Sequence, residues 1–340
     1  MTAEFRIRDS GVGEQPSPEP RILTPDSCPI AIVGPTASGK TALSIEVARR
    51  LGGEIISMDS RQVYRGMDVG TAKATAEQRA AVPHHGLDLI TPAERFSAGR
   101  FARYARDRVG EIRARGRVPI LVGGTGFFLR ALTHPIFREP ELEPARRREV
   151  TAYLEQADTA ELLRWLQRLD PESAARLGAA GGRQRLIRAL ELPLLTGRPL
   201  SWWHREAEPE AEPLRPLVVV LDPPRERLYA AIDARVDEMA GAGLVDEVRG
   251  LLAAGYDERS PGMNATGYVE LLPALRGEVP LDVALDRVRK NTRAYARRQL
   301  TWFRHQLPPG AVWLDAARPR AELAAEIVRR WESASPIADS

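Results

Sequence analysis

A single octapeptide restricts the fold of this chain more than any other feature of the sequence. It fits the phosphate-binding pattern GxxxxGK[ST] at every fixed position, as Gly34-Pro35-Thr36-Ala37-Ser38-Gly39-Lys40-Thr41. A strand-like apolar run precedes it at Ile30–Val33, and a pattern with helical spacing follows it at Ala42–Leu51. The glycines let successive backbone N–H groups face one anion, Lys40 can neutralise a terminal phosphate, and the Thr41 hydroxyl can bind Mg²⁺. The pattern predicts a strand, a phosphate-binding loop and a helix.

The segments that follow predict a parallel sheet. Strand-like runs lie at Glu54–Met58 and Val118–Val122, with a helical pattern over Gly99–Arg115 between them, and a further strand-like run lies at Leu217–Leu221. Strand, helix and strand at this spacing are typical of a doubly wound α/β sheet. Residues 144–205 are helical in pattern, rich in arginine and leucine, and contain no strand-like run.

We therefore predict an α/β fold, with a P-loop-type parallel sheet core flanked by helices and an all-α insertion domain. The core takes in residues 29–138 and 214–335, and the insertion takes in residues 139–213. Residues 1–28, with four prolines among charged residues, predict a disordered tail.

Composition excludes several other classes of protein. No apolar stretch approaches 18 residues, and the first 28 residues lack the apolar segment of a signal peptide, so we expect a cytoplasmic protein outside the membrane. The single cysteine, Cys28, leaves no internal disulfide framework, and the histidines form no HExxH pattern. Of the 49 basic residues, only Lys40, Lys73 and Lys290 are lysines, and arginine suits contacts with phosphate.

The position of the acidic residues narrows the possible chemistry. An ATPase or kinase normally places a second, Mg²⁺-binding carboxylate at the end of another strand. The third strand instead runs into Gly123-Gly124-Thr125-Gly126, and the acid lies after the second strand, at Asp59. One interpretation is that the loop holds a diphosphate leaving group and Asp59 removes a proton. The alternatives for Asp59 are a group near Mg²⁺ or a helix N-cap.

Several longer motifs resemble the tRNA dimethylallyltransferase family. They occur in the family's order and are Met58–Lys73, Pro83–Asp88, Val122–Thr125, Gln184–Glu191, Thr196–Ser201, Gly267–Glu270 and Arg297–Arg304. The resemblance covers about residues 29–316. It implies that a dimethylallyl group passes from dimethylallyl diphosphate to N6 of adenosine 37, in tRNAs that read codons beginning with U. The products would be N6-(dimethylallyl)adenosine and diphosphate, and Mg²⁺ would be required.

The resemblance also implies roles for individual residues. Asp59 would be the base for N6, Thr125 would contact N6, and Lys40, the rest of the loop from Gly34 to Thr41, and Arg235 would bind the diphosphate. Thr41 would hold the metal. The insertion would grip the anticodon stem-loop of a monomeric enzyme. The tRNA contacts implied are Asp59, Ser60, Arg61, Gln62, Thr125, Arg147, Gln184, Arg185, Leu186, Ile187, Arg188, Asn264, Ala265, Thr266, Gly267, Tyr268 and Val269.

Other patterns leave alternatives open. Arg289, Arg293 and Arg297 share one face of a predicted helix, where they could contact RNA phosphates or form a solvated face. Trp202 and Trp203 could stack on bases, although packing within the insertion is the safer interpretation. The competing functions are a P-loop small-molecule kinase, a prenyltransferase that acts on free AMP, and an RNA-binding module without activity.

Overall fold

The computed structural model describes residues 28–178, 182–307 and 309–334, so the predicted tail lies outside the described residues except for Cys28. Six strands of these residues form one sheet, in the order β3-β2-β4-β1-β5-β6, and every neighbouring pair is parallel. They are β1 (Ile30–Val33), β2 (Glu54–Ser57), β3 (His84–His85), β4 (Pro119–Gly123), β5 (Leu217–Asp222) and β6 (Val312–Asp315). The predicted α/β fold with a parallel sheet is confirmed.

Each strand of the sheet is followed in the chain by a helix. In chain order they are α1 (Lys40–Leu51), α2 (Ala76–Ala81), α3 (Ala98–Ala114), α4 (Gly126–Thr133), α5 (Pro144–Leu154), α6 (Thr159–Leu169), α7 (Pro171–Leu177), α8 (Arg183–Thr196), α9 (Leu200–Glu206), α10 (Arg225–Gly241), α11 (Leu244–Ala253), α12 (Leu272–Leu275), α13 (Leu281–Gln306) and α14 (Arg320–Ala334).

The parallel arrangement places the functional segments at one edge of the sheet. All strands of a parallel sheet point the same way, so the residues after β1, β2, β4 and β5 lie at the same carboxyl edge. Those four positions hold the phosphate-binding loop, Asp59, the 123–126 segment and the start of α10. Apolar side chains of β1, β2, β4 and β5 pack with α1 and α14 in the main core beneath this edge.

Helix α13 packs along α10 through charged pairs. The guanidinium of Arg293 pairs with Asp233, with Nε 3.0 Å from Oδ1, and Arg289 pairs with Asp237. Arg297 donates to the hydroxyl of Tyr229 at 2.9 Å. Both alternatives for the 289/293/297 face, RNA phosphates or solvent, took its arginines as free cations, whereas carboxylates of the neighbouring helix already neutralise Arg289 and Arg293.

The chain divides into two compact units. One takes in the chain up to Leu132 and from Arg215 onward, and the other takes in Thr133–Leu214. The second unit is built from α5 to α9, whose apolar residues form their own core. Pro193 lies inside α8, which continues to Thr196 and ends before Gly197 in the left-handed conformation.

Candidate active site

The phosphate-binding loop has the backbone that its sequence demands. Gly39 adopts a left-handed conformation with a φ of 85°, which is costly for residues with a side chain and readily adopted by glycine. It is also the residue that precedes α1, and it offers no side-chain acceptor to the first N–H groups of that helix. This arrangement leaves a helix N-terminus for an anionic ligand.

The charges beside the loop are only partly compensated. Nζ of Lys40 folds back and donates to the carbonyl of Pro35 at 2.6 Å. Burial and then the charge of Arg235 lower the pKa of Lys40 to about 7, and the carboxylate of Asp59 offsets only part of this. Burial likewise lowers the pKa of Arg235, again opposed by Asp59. The site thus holds two cations whose charged forms an incoming anion would stabilise.

A cavity of about 380 Å³ lies beside these residues. Lys40, Thr41, Asp59 and Arg235 all line it, together with Thr36 of the loop. The loop residues Gly34, Pro35, Ala37, Ser38 and Gly39 do not line it. Its apolar wall comes from Ile55, Val122, Ile232, Val236, Met239 and Val288. Charged groups and an apolar wall in one cavity suit a ligand that joins a hydrocarbon to a diphosphate.

Asp59 begins a segment that reaches across the cavity. Its Oδ1 accepts the backbone N–H of Arg61 at 2.8 Å, and the Arg61 guanidinium donates to Oδ1 of Asn264 at 2.8 Å. Asp59, Arg61, Gln62 and residues 264–267 line the same cavity. Two segments predicted to contact tRNA, 59–62 and 264–269, are therefore brought together although they are about 200 residues apart in the chain.

Tyr268, in the second of these segments, is a packing residue. Its ring is fully buried, and its hydroxyl donates to Oε1 of Glu247 at 2.6 Å. Burial and the charge of Glu247 raise the pKa of Tyr268. Glu247 also accepts the backbone N–H groups of residues 68–70, so the pair fixes a loop beside the cavity. The tRNA contact at Tyr268 stays a prediction, which the buried ring leaves to the backbone of that residue, whereas Val269 is exposed.

Close approach of three segments explains the glycines before Thr125. A Cβ on Gly123 would lie 1.9 Å from the carbonyl oxygen of Met58, and one on Gly124 would lie 2.2 Å from Nε2 of Gln299. Thr125 follows, and its Oγ1 accepts the backbone N–H of Ser60 at 3.0 Å. Thr125 is thereby fixed beside the residue that follows Asp59.

Five residues of α13 line the cavity, and sequence reasoning assigned none of them to it; the two with the clearest polar role are Tyr295 and Gln299. Burial and the charge of Asp59 raise the pKa of Tyr295 to about 12, so its phenol keeps its proton and can donate. The nearby Thr125 side chain opposes part of this shift. Gln299 belongs to the 297–304 motif, which was interpreted through the charge of its arginines.

In the insertion, the predicted tRNA contacts divide into paired, buried and exposed residues. Arg147 and Arg188 each contact both Glu139 and Glu191, at 2.9 to 3.2 Å. Although burial alone would lower it, these carboxylates raise the pKa of Arg188. Of the other residues predicted to contact tRNA in this unit, Leu186 and Ile187 are buried, and Gln184 and Arg185 are exposed. The side chains of the two apolar residues belong to the core of the insertion, so their predicted tRNA contacts are left to the backbone.

The tryptophans of α9 are engaged within the insertion. Trp203 packs against the apolar core of that unit, and its Nε1 donates to the hydroxyl of Thr196 at 3.4 Å. The guanidinium of Arg198 lies 4.0 Å from the centroid of the Trp202 ring. Packing within the insertion therefore accounts for Trp203.

The described residues contain neither a cluster of metal-binding side chains nor a helix that could span a membrane. Among residues 28–178, 182–307 and 309–334, no group of three or more His, Cys, Asp or Glu side chains is arranged to hold a metal ion. Within the same ranges, every helix is too short or too polar to cross a membrane.

Two protein-family models match the sequence of this chain. The sequence model described as IPP transferase matches residues 62–306, and one described as isopentenyl transferase matches residues 30–83. A tRNA dimethylallyltransferase of Geobacter metallireducens is 46% identical over 286 residues, which are 84% of this chain and 92% of that protein.

Solved structures agree with the sequence relatives. A tRNA isopentenylpyrophosphate transferase from Bacillus halodurans is 37% identical, with a TM-score of 0.65 over 91% of this chain and 98% of that one. A eukaryotic dimethylallyltransferase, described as acting on tRNA, is 28% identical, with a TM-score of 0.78 over 93% of this chain and 82% of that one.

Proposed function

The chain belongs to the IPP transferase family, and we propose that it transfers a dimethylallyl group from dimethylallyl diphosphate to tRNA. The acceptor is N6 of adenosine 37, and the products are N6-(dimethylallyl)adenosine and diphosphate. The observation that supports this best is one cavity lined by the phosphate-loop lysine, Arg235, the Asp59 carboxylate and an apolar wall.

The loop and Arg235 activate the donor by stabilising its leaving group. Allylic C–O cleavage is easy once the negative charge that develops on the diphosphate is absorbed, because the allylic cation is itself stabilised. Lys40, Arg235 and the N-terminal amides of α1 supply that charge in a partly buried site, where electrostatic stabilisation is stronger than in water. β4 leads into Gly123 and Gly124 without a carboxylate, unlike a site for transfer of a γ-phosphate.

Asp59 serves as the base. The exocyclic amine of adenine is a poor nucleophile because its lone pair is conjugated with the ring. As N6 forms a bond to C1 of the donor, the C1–O bond to the diphosphate breaks, and a proton of N6 passes to the Asp59 carboxylate. Thr125, fixed by the hydrogen bond from the Ser60 backbone, orients the amine.

The residues of the site fit a magnesium ion that arrives with the donor. Mg²⁺ is usually held by few protein groups together with phosphate oxygens and water, and the Thr41 hydroxyl lines the cavity next to Lys40. Thr41 would hold the ion, which when bound neutralises charge on the diphosphate.

RNA recognition involves both units of the chain. The target adenosine must leave the stacked anticodon loop, at a cost of a few kcal/mol that is smallest in single-stranded loops. Asp59–Gln62 and Asn264–Gly267, joined by the Arg61–Asn264 hydrogen bond, form the part of the cavity that receives the base. Exposed Gln184 and Arg185 of the insertion contact the stem-loop.

Mass detection of nucleosides tests the proposal. Purified protein is incubated with Mg²⁺, dimethylallyl diphosphate and unmodified tRNA, and the tRNA is digested to nucleosides. We expect one adenosine per tRNA to gain a five-carbon unit at N6. Prenylation of free AMP without tRNA prenylation, or transfer of phosphate from ATP to a small molecule, would contradict it.

A further inference from the structure

Gln299 bridges the two sides of the cavity with its side-chain amide. Its Oε1 accepts the backbone N–H of Thr36 at 2.9 Å, and its Nε2 donates to the carbonyl of Gly124, also at 2.9 Å. The side chain is 6% exposed. Thr36 belongs to the phosphate-binding loop after β1, and Gly124 precedes Thr125 after β4. One amide therefore connects the loop that holds the leaving group to the segment that holds Thr125.

The bridge is tightly packed. A Cβ on Gly124 would meet Nε2 of Gln299 at 2.2 Å and the carbonyl oxygen of Gly34 at 3.3 Å, so the three segments touch without room for a side chain. A Cβ on Gly126 would lie 2.2 Å from the ring of Trp302. Helix α13 and the 124–126 segment therefore pack without room for a side-chain atom at Gly124 or Gly126.

Three residues of α13 share this contact. Tyr295 lies near Thr125, Gln299 bonds to Gly124, and the Trp302 ring lies against Gly126. Their spacing of four and then three residues places them on one face of the helix. Of the three, Gln299 alone also contacts the phosphate-binding loop, through Thr36. It therefore adds a side-chain link between two substrate-binding segments whose strands already pair, with Val33 opposite Gly123.

The spacing of these segments matters because an ionised allylic donor reacts with whichever nucleophile is in reach. We propose that Gln299 is a positioning residue that holds Thr36 and Thr125 at the spacing for transfer, so that N6 captures the allyl group and water does not. This inference rests on the proposed function. In the competing reaction a water oxygen bonds to C1 as the C1–O bond to diphosphate breaks, and the water loses a proton. Its products are the five-carbon alcohol and diphosphate.

Two substitutions separate the bonds of Gln299. Gln299→Met keeps a similar volume and removes both hydrogen bonds. Gln299→Glu keeps the acceptor for Thr36 but, when ionised, has no proton for the Gly124 carbonyl, and its neutral acid at low pH restores that donor. Gln306→Met is the matched control, since Gln306 lies on the same helix and contacts Arg130 at 2.9 Å outside the cavity.

The assay measures transfer, leakage and binding side by side. With an anticodon hairpin and labelled donor, we expect Gln299→Met to lower kcat about 100-fold, the effect of a displacement of about 1 Å. The ratio of labelled alcohol to prenylated hairpin should rise, while the Kd of inorganic diphosphate and the KM of the hairpin stay near those of the wild type. Gln299→Glu should recover part of its kcat, relative to the wild type, as the pH is lowered.

The outcomes are distinct. A Gln299→Met protein with the kcat and product ratio of the wild type overturns the inference, as does a loss confined to diphosphate affinity. If Gln299→Met does not fold, as judged by thermal unfolding, the product ratio of Gln299→Glu decides in the same way. A wild-type protein that prenylates no hairpin defeats the proposed function itself.

Discussion

The lowered pKa of Lys40 predicts that binding of diphosphate takes up a proton. In the free protein, burial and the charge of Arg235 bring this pKa to about 7. A diphosphate beside the ammonium favours the charged form and raises the pKa again. Between the free and bound pKa values, the complex therefore holds more protons than the free protein, and affinity falls as the pH rises through this window.

The size of the proton uptake follows from the pKa of Lys40 in the free protein. With a pKa of about 7, roughly one-tenth of the Lys40 side chains are protonated at pH 8 and roughly nine-tenths at pH 6. Binding should then take up about 0.9 proton at pH 8 and about 0.1 at pH 6. Above pH 7, the contribution of Lys40 to affinity falls by up to about tenfold per pH unit, or about 1.4 kcal/mol.

Titration calorimetry in buffers with different ionisation enthalpies measures this uptake directly. Inorganic diphosphate also titrates, so the Lys40→Met variant supplies the baseline to subtract, and Lys40→Arg, which stays charged, should match that baseline. Arg235→Gln removes one cause of the lowered pKa and should reduce the uptake at pH 8. Equal proton uptake by the wild type and Lys40→Met at pH 8 would refute the reasoning.

Three further outcomes follow from the described contacts. Gly123→Ala forces a Cβ against the Met58 carbonyl and should destabilise the protein by more than about 4 kcal/mol in urea unfolding, whereas Gly110→Ala, with open space around it, should not. Asp59→Asn should lower kcat by about 100-fold or more with hairpin affinity retained, and unchanged turnover would remove Asp59 as the base. Arg293→Met breaks its pair with α10 and should lower stability by up to about 1 kcal/mol. If Arg293 instead contacts RNA, the salt dependence of hairpin binding will also weaken, by about one unit of slope.

The sheet and its loop were predictable because local chemistry determines them. The sequence of the octapeptide at 34–41 determines the backbone conformation of the loop. The strand-like apolar runs near it are long enough to form strands. The predicted bounds of β1 agree with the structure, and β2 ends one residue earlier than predicted, at Ser57. Asp59 could be placed at the carboxyl edge because parallel strands share it.

The inner face of α13 could not be predicted in the same way. Its arginines suggested an RNA-binding stripe, yet Arg289 and Arg293 face acids of α10 that are more than 50 residues away in the chain. The sequence cannot distinguish Tyr295 and Gln299 from exposed polar residues of a helix, because the difference lies in the segments that pack against them. A helix pattern shows which residues share a face but does not identify the partner of that face.

The insertion shows a similar limit. Its helical character was evident from composition, but the mutual pairing of Arg147 and Arg188 with Glu139 and Glu191 depends on how the helices pack. Pro193 lies inside α8 although proline lacks the N–H of a helical hydrogen bond. Only three further residues follow it in the helix, so few bonds are affected.

The hydrogen bond between Thr36 and Gln299 joins residues 263 positions apart. Synthesis proceeds from the N-terminus, so β1 and its loop emerge from the ribosomal exit tunnel long before β5 and α13 are made. Until then, β1 lacks one of its two neighbouring strands and the loop lacks its bridging amide. The nascent chain thus carries an unpaired strand edge of the kind that chaperones shield, and it gains its donor site only near the end of synthesis.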